Sequence, residues 1–321
     1  EKMDYNMFYL SQDKMDCPES LHKLFERSFV KQFGSVNFDL AIDFDGYNHD
    51  ETLLFVNSGV RNAVWVHNDM LQEAKCKGNQ NLNILKEAYS KSDHVCMVSP
   101  GLRNPTSQIS GREDNIEVIH NLNDYETIFD NAEKLLEIGP NTNVYNNDIK
   151  EVLNKDAFKF ITIGRFSPEK GHKRLMRAFN EFCSEFPDAQ LIIIGGYGSQ
   201  YEETCELIGS LEYGKNITLI NNISNPMPIL TECDLFILSS YHEGWPMVLM
   251  EADALCIPII STDIDATRAM GKYAGYIVEN SQEGLLKGMF DFVDSKVTCQ
   301  NSDFEKYNSE AIEEFLKLLE N

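Results

Sequence analysis

This 321-residue sequence has no C-x-x-C pair, no apolar run long enough to cross a bilayer and no surplus of basic residues. Its eight cysteines (Cys17, Cys76, Cys96, Cys183, Cys205, Cys233, Cys256 and Cys299) are scattered, and no histidine stands at zinc spacing. That excludes a zinc ribbon, a redox dithiol motif and a disulfide framework. Several lie in apolar stretches such as DHVCMVS and ALCIPII, as reduced thiols packed in a cytosolic protein do. The longest apolar runs, LIIIG at 191–195 and LFIL at 235–238, fall far short of the ~18 residues of a membrane span. The opening EKMDYNMFYL lacks the basic and apolar regions of a signal peptide, and a start at Glu1 is expected to mark a piece of a longer protein. With 28 basic against 51 acidic residues the net charge is −23. Such a field repels nucleic acid and anionic lipid, so neither is an expected partner, and a cytoplasmic location is expected. Internal repeats and low-complexity tracts are missing too, which excludes a solenoid.

What is present is a rhythm: a short apolar strand, a Gly- or Ser-rich turn, then a helical stretch, which reads as βαβ units on a parallel sheet. The first half offers a helix over 15–33, strands at 38–44, 63–69, 93–99 and 116–121, and a helix over 77–92. Residues 121–156 turn Asn-rich around one helical patch at 126–138 and read as an interdomain connection. The pattern then restarts, with strands at 158–165, 189–196, 216–222, 234–240 and 257–262. Helices are expected between them at 171–186, 199–211, 225–232 and 245–256, and afterwards near 283–294 and 303–320. The expected fold class is α/β, two Rossmann-like domains of which the first is incomplete. The expected boundaries are 1–155 for the first domain with its linker, 156–302 for the second, and 303–321 for a closing helix.

The segment GRFSPEKGHKRLMRAF at 164–179 holds Arg165, Lys170, Lys173, Arg174 and Arg177 against one acid, Glu169. It lies where a strand ends and a helix begins, the place at which α/β folds bind anions. Arg165 and Lys170, in the loop itself, suit a diphosphate, one as a fork and one as a point charge. Lys173, Arg174 and Arg177 read as a solvated helix face. A second constellation is YHEGWPMVLMEADAL at 241–255. Glu243 falls in a loop, Pro246 suits the first helical position, and Glu251 follows more than a turn into an apolar helix. At ~1.5 Å per residue the two carboxylates stand roughly 12 Å apart, too far for the paired chemistry of a glycoside hydrolase. That separation fits the two ends of an elongated ligand with phosphates between. GGYGS at 195–199, with Gly198, is a glycine-rich strand–helix turn that serves equally as a structural turn or a ligand loop. His67 ends a strand, where cleft-facing residues of a parallel sheet sit. Two D-x-D strings, Asp43-Phe44-Asp45 and Asp263-Ile264-Asp265, are within what so acidic a chain yields by chance.

GRFSPEKG, IIIGGYG and YHEGWPMVLMEADAL-x-IPIIST, in that order over roughly 160–280, resemble the C-terminal half of family-4 retaining glycosyltransferases of the GT-B fold. The E-x7-E spacing of Glu243 and Glu251 is the specific part. The resemblance implies two domains with parallel sheets facing a cleft, and a nucleoside diphosphate sugar, taken as a UDP-sugar, as co-substrate without cofactor or metal. It implies a catalytic set of His67, Arg165, Lys170 and Glu243. Arg165 and Lys170 would hold the diphosphate, Glu243 the donor sugar and Glu251 the ribose hydroxyls. Gly164, Gly198, Gly244, Met247 and Val248 would line the donor site, with backbone from Gly244 to Val248 at the phosphate. GY at 46–47 through VHNDM, VSPGL and VIHN look like the acceptor-side domain, and the last helix would cross back to it. HNDM at 67–70, ISNPMPIL at 223–230 and STDID at 261–265 are similar to enzymes of teichoic-acid and capsule synthesis. The expected acceptor is then a glycan, a lipid-linked sugar or a polyol phosphate, at the inner face of a bacterial membrane that a missing region would reach.

Three departures stand out. The family's opening strand and Gly-rich loop are not in this chain, and the first domain is expected to be truncated. Cys256 stands where the family has Gly, a change read as packing, and Pro246 stands where many members have Gly. Other readings remain open at this stage: a nucleotide-sugar epimerase, a degenerate subunit that binds glycan or acts as a chaperone partner, and a metal-dependent D-x-D transferase.

Overall fold

A computed structural model describes residues 19–78, 80–196 and 198–320. It contains two sheets. Strands β1 (Ala41–Asp43), β2 (Asn62–Val66), β3 (His94–Met97) and β4 (Ile116–Val118) form the first, all parallel and in sequence order. The second comprises β5 (Asn143–Tyr145), β6 (Lys159–Ile163), β7 (Gln190–Gly195), β8 (Ile217–Asn221), β9 (Leu235–Leu238), β10 (Ile259–Thr262) and β11 (Tyr276–Val278). Its order is β11-β10-β9-β6-β7-β8-β5, parallel except for β5. β2, β3, β7 and β9 are buried along their whole length, as strands covered by helices on both faces are.

The second sheet is doubly wound. From β6 the chain moves outward to β7 and β8, then returns to the other side of β6 for β9 and continues to β10 and β11. β6 and β9 are therefore neighbours, with Phe160 opposite Leu235, and the crevice at their carboxyl ends is the topological switch point where such folds bind ligands. Beneath it the core gathers Phe160, Phe166, Leu175, Phe179, Phe182 and Ile193, none of them more than marginally exposed. Phe182 stacks on Phe186 at 4.7 Å between centroids. Each such ring adds about 1.5–3 kcal/mol on burial.

The contacts divide the chain into two compact units, one ending at Leu122 and resuming at Ser309, the other running Asn123–Asn308. This differs from the boundaries expected from sequence, because residues 123–155 are not a linker. β5 lies inside that stretch and pairs antiparallel with β8, Val144 opposite Ile220. Asn147 reinforces the join through its side-chain N–H donors to the carbonyls of Lys215 and Ile217. In the first unit Arg61 Nη2 donates to the carbonyls of Leu318 and Leu319, and Glu314 accepts from the backbone of His120 at 2.9 Å. These contacts fix the end of the helix Phe304–Glu320.

Other elements also shift. The helix expected over 15–33 is Glu19–Phe33 in the described residues; 15–18 lie outside them. A helix that was not expected, Met70–Lys77, precedes the one expected over 77–92, which is Leu82–Lys91. Gly78 at φ 65° ends the first, and the Asn81 side chain caps the second by accepting from Asn83 and Ile84. Pro246 is the N-cap of Met247–Ala254 rather than its first residue. Cys256 is not a packing residue: it is exposed and left-handed at φ 56°, a backbone state that favours Gly. Cys96, Cys183 and Cys233 are buried as expected, Cys205 and Cys299 partly so, and the side chains of Cys17 and Cys76 lie outside the described residues.

Candidate donor site

The loop after β6 and the loop after β9 meet at the switch point. Lys170 Nζ donates to Glu243 Oε1 at 2.6 Å, with both side chains largely shielded from solvent. Ser240 Oγ donates to the same oxygen at 2.6 Å. The backbones are stitched as well: Ser239 Oγ donates to the Lys170 carbonyl at 2.7 Å, and Tyr241 N–H to the Glu169 carbonyl at 2.7 Å. Gly171, at φ 67°, makes this approach possible, since a Cβ there would stand 2.2 Å from the Ser239 carbonyl. Gly164 lies under the Lys170 stem, whose methylene carbons come within 3.3 Å of where its Cβ would be.

Arg165, Lys170 and Glu243 are thus brought together at this one edge, though Arg165 is mostly exposed and reaches Glu169 Oε1 at 3.3 Å. Gly244 is buried, and Met247 and Val248 open a helix that no side chain caps. Its start carries the positive end of the helix dipole. Glu251, one turn on, is half-buried, and its carboxylate receives no hydrogen bond or ion pair from the described residues. Burial alone pushes its carboxyl above the usual range. Gly198 is exposed, packed where a Cβ would meet the Phe166 carbonyl; its neighbour Tyr197 lies outside the described residues.

Two residues that sequence reasoning missed hold the loops. Arg174, expected on a solvated face, is 7% exposed. Its guanidinium donates to the carbonyls of Ser239, Ser240 and Asn280 and to Asn280 Oδ1, and stacks 3.8 Å over the Tyr241 ring. Of its former companions, Lys173 pairs with Glu203 and Arg177 is exposed. His172 is buried, its Nε2 lying 3.2 and 3.1 Å from the carbonyls of Gly164 and Arg165. Burial pulls its pKa down to about 4, so at neutral pH it is uncharged with the proton on Nε2, donating to the turn that carries Arg165.

The other sequence candidates lie on other elements. His67 follows β2 in the first unit, with Nε2 2.6 Å from the Phe44 carbonyl. Asp43 is buried beneath Thr52 and Gly46, and Asp263 and Asp265 both pair with Arg268. A depression of about 490 Å³ lies at the opposite, amino-terminal ends of β6, β7 and β9, away from the edge where parallel sheets bind ligands. No helix among the described residues is long and apolar enough to cross a membrane.

The chain is similar to known proteins. Residues 145–310 match the family model described as Glycosyl transferases group 1. An uncharacterized glycosyltransferase of Methanocaldococcus jannaschii is 39% identical over 109 residues, 34% of this chain and 27% of that protein. The capsular polysaccharide biosynthesis glycosyltransferase CapM of Staphylococcus aureus is 27% identical over 159 residues, 47% of this chain and 40% of that protein. Among solved structures, HepE of Anabaena in complex with UDP superposes with a TM-score of 0.70 at 15% identity, covering 94% of this chain and 81% of HepE. These matches span less than half the length of the two curated relatives. The basic loop after β6, the carboxylates before and within the uncapped helix and the family match over β6 to β11 agree, and the chain belongs to the group 1 glycosyl transferases, with the GT-B fold.

Proposed function

We propose that this chain is a hexosyltransferase of the family-4 retaining type. It moves a hexose from a nucleoside diphosphate sugar, a UDP-sugar, to a glycan, lipid-linked or polyol-phosphate acceptor in the synthesis of bacterial cell-surface polysaccharide, on the cytoplasmic side. The observation that carries this reading is the Lys170–Glu243 pair at the switch point. A cation and an anion held there, each able to turn to a ligand, suit a diphosphate joined to a sugar. In this reading Lys170 and Arg165 take the diphosphate, and the Glu243 carboxylate so released accepts from hydroxyls of the sugar. Backbone amides between Gly244 and Val248, Pro246 apart, face the phosphates. The unpartnered Glu251 accepts from the ribose hydroxyls, a use for a carboxylate whose burial nothing else offsets.

The chemical demand is to stabilise negative charge as the diphosphate departs. Fixed cations and amide dipoles do so without reorganising, typically by ~3–4 kcal/mol for a well-placed donor. Lys170, Arg165 and the helix start supply this without metal. The name of CapM and the UDP held by HepE are consistent with the donor and pathway class.

The test is turnover of UDP-glucose, UDP-galactose, UDP-N-acetylglucosamine and GDP-mannose in EDTA, with the anomeric proton of the product read by NMR. An α-linked product from one UDP-sugar, formed equally well with EDTA, is expected. A β-linked product contradicts retention, loss of activity in EDTA contradicts the metal-free site, and silence with all four donors contradicts the transferase reading.

A further inference from the structure

The first sheet has a carboxyl edge too, and the donor reading leaves its groups unused. β1 ends at Asp43, and the loop 44–48 leads into the helix His49–Val56. This loop is pinned at several points. The buried Asp43 carboxylate accepts from Gly46 N at 3.0 Å and from Thr52 Oγ1 at 2.5 Å. Gly46 sits at φ 64°, with the Trp65 carbonyl 2.0 Å from where a Cβ would be. Asn48 caps the helix by accepting from Asp50 and Glu51.

What the pinned loop holds out is Phe44 and Asp45. Phe44 is 58% exposed, although its ring is braced edge-on by His67 at 5.0 Å and tilted against Trp65 at 5.4 Å. His67 Nε2 secures the same residue through the Phe44 carbonyl. Asp45 is exposed and has no partner among the described residues. An aromatic ring left in water forgoes roughly 1–2 kcal/mol of burial, and one held rigidly beside a free acceptor can recover it by stacking on a ligand.

The chemistry of these groups narrows the ligand. A flat apolar ring matches the C–H face of a pyranose, and a neighbouring carboxylate accepts from its hydroxyls. The surroundings are acidic: burial raises the Asp43 and Glu51 carboxyls first of all, and Asp45 adds to the pressure on Asp43, as Asp43, Asp45 and Asp50 do to that on Glu51, with a smaller opposing pull from His67 on Asp43. A phosphate placed there would meet this field at close range, which selects against it.

We infer that the Phe44–Asp45 loop is a stacking platform for an uncharged sugar residue of the acceptor, and that a polyol phosphate does not bind there. The inference rests on the reading of the first unit as the acceptor side. It narrows the three acceptor classes above to those that end in a neutral sugar.

Saturation-transfer NMR on the full chain tests this, with methyl glucoside, methyl galactoside and methyl N-acetylglucosaminide against glycerol 3-phosphate and ribitol 5-phosphate. One of the methyl glycosides should receive saturation at its ring C–H protons, and neither phosphate should. Phe44→Ala and the bulk-preserving Phe44→Leu should abolish that signal, and Asp45→Asn should weaken binding about tenfold, the scale of one hydrogen bond to a charged group. Saturation of either phosphate, a signal unchanged in both Phe44 variants, or no contact with any glycoside overturns the platform. UDP titrated into the same samples separates the two proposals: failure of the wild-type chain to bind UDP strikes the donor reading alone.

Discussion

At the carboxyl end of β6 and β9 the charged groups are interlocked, whereas at the carboxyl end of β1 two conspicuous groups stand free. In the second unit Lys170, Glu243, Ser240, Ser239 and Arg174 form a continuous set of hydrogen bonds. In the first, Asp43 is tied down but Phe44 and Asp45 face solvent. The signs differ too, a basic loop in one unit and an acidic one in the other. Both edges are where parallel sheets take ligands, so topology chose the places and a few loop residues chose the chemistry. A shielded ion pair is held best where further hydrogen bonds reach it, as the Ser240 hydroxyl does at Glu243 Oε1. A stacking surface needs only rigidity, and the Asp43–Gly46 turn provides it.

The sharpest way to break this comparison is to remove the clamp. Arg174→Met strips the carbonyls of Ser239, Ser240 and Asn280 of a buried donor and should destabilise the second unit by about 3 kcal/mol. That lowers its calorimetric transition by roughly 6–12 °C for a unit of this size. Asp45→Asn in the first unit is the contrast, with an expected effect within ~0.5 kcal/mol. Equal effects from the two substitutions would erase the distinction between a knitted edge and an open one.

Next in size is a pH effect confined to the knitted edge. An unfolded His172 takes up a proton near its ordinary 6.5, while the folded one refuses it down to about 4. The folded state therefore binds fewer protons in that window, and stability is full above pH 6.5 and falls as the pH drops toward 4, by about 3 kcal/mol in all. Urea midpoints from pH 7 to 5 should fall less steeply in His172→Gln than in the wild-type chain.

Smaller, and opposite in sign, is the effect of Glu251. Its folded carboxyl sits above the ordinary value because of burial, so the folded state binds the proton more readily and this residue's contribution to stability declines as pH rises through that folded pKa. Glu251→Gln should raise the melting temperature of the unliganded protein at neutral pH while weakening UDP about 10- to 100-fold. A variant that binds UDP normally would return Glu251 to a structural role.

The second sheet was readable from sequence because its central strands are unbroken apolar runs, LIIIG and LFIL among them, with turn residues at each end. β5 and β11 were missed because each has three residues, with half or more of the pattern exposed or intermediate, which leaves no period to detect. The helix His49–Val56 was missed because its apolar residues crowd its last turn, and only the Asn48 cap announced it. Arg165, Lys170, Glu243 and Glu251 were legible from local charge and spacing. Arg174 was not, since the carbonyls that bury it lie 65 and 106 residues away in sequence and a basic residue on a helix ordinarily faces water. Cys256 carried a signal that was read the wrong way: a family Gly marks a left-handed backbone, which the cysteine here adopts at φ 56°.

The most direct test of the donor site is calorimetric titration of UDP, in EDTA, into the wild-type chain and into Lys170→Ala with its fold verified by circular dichroism. The account predicts binding by the wild-type chain and a loss of about 100-fold in the variant, the scale of a charge-assisted contact to phosphate. Equal affinity in both chains, or no binding by the wild type, would contradict the placement of the diphosphate between β6 and β9.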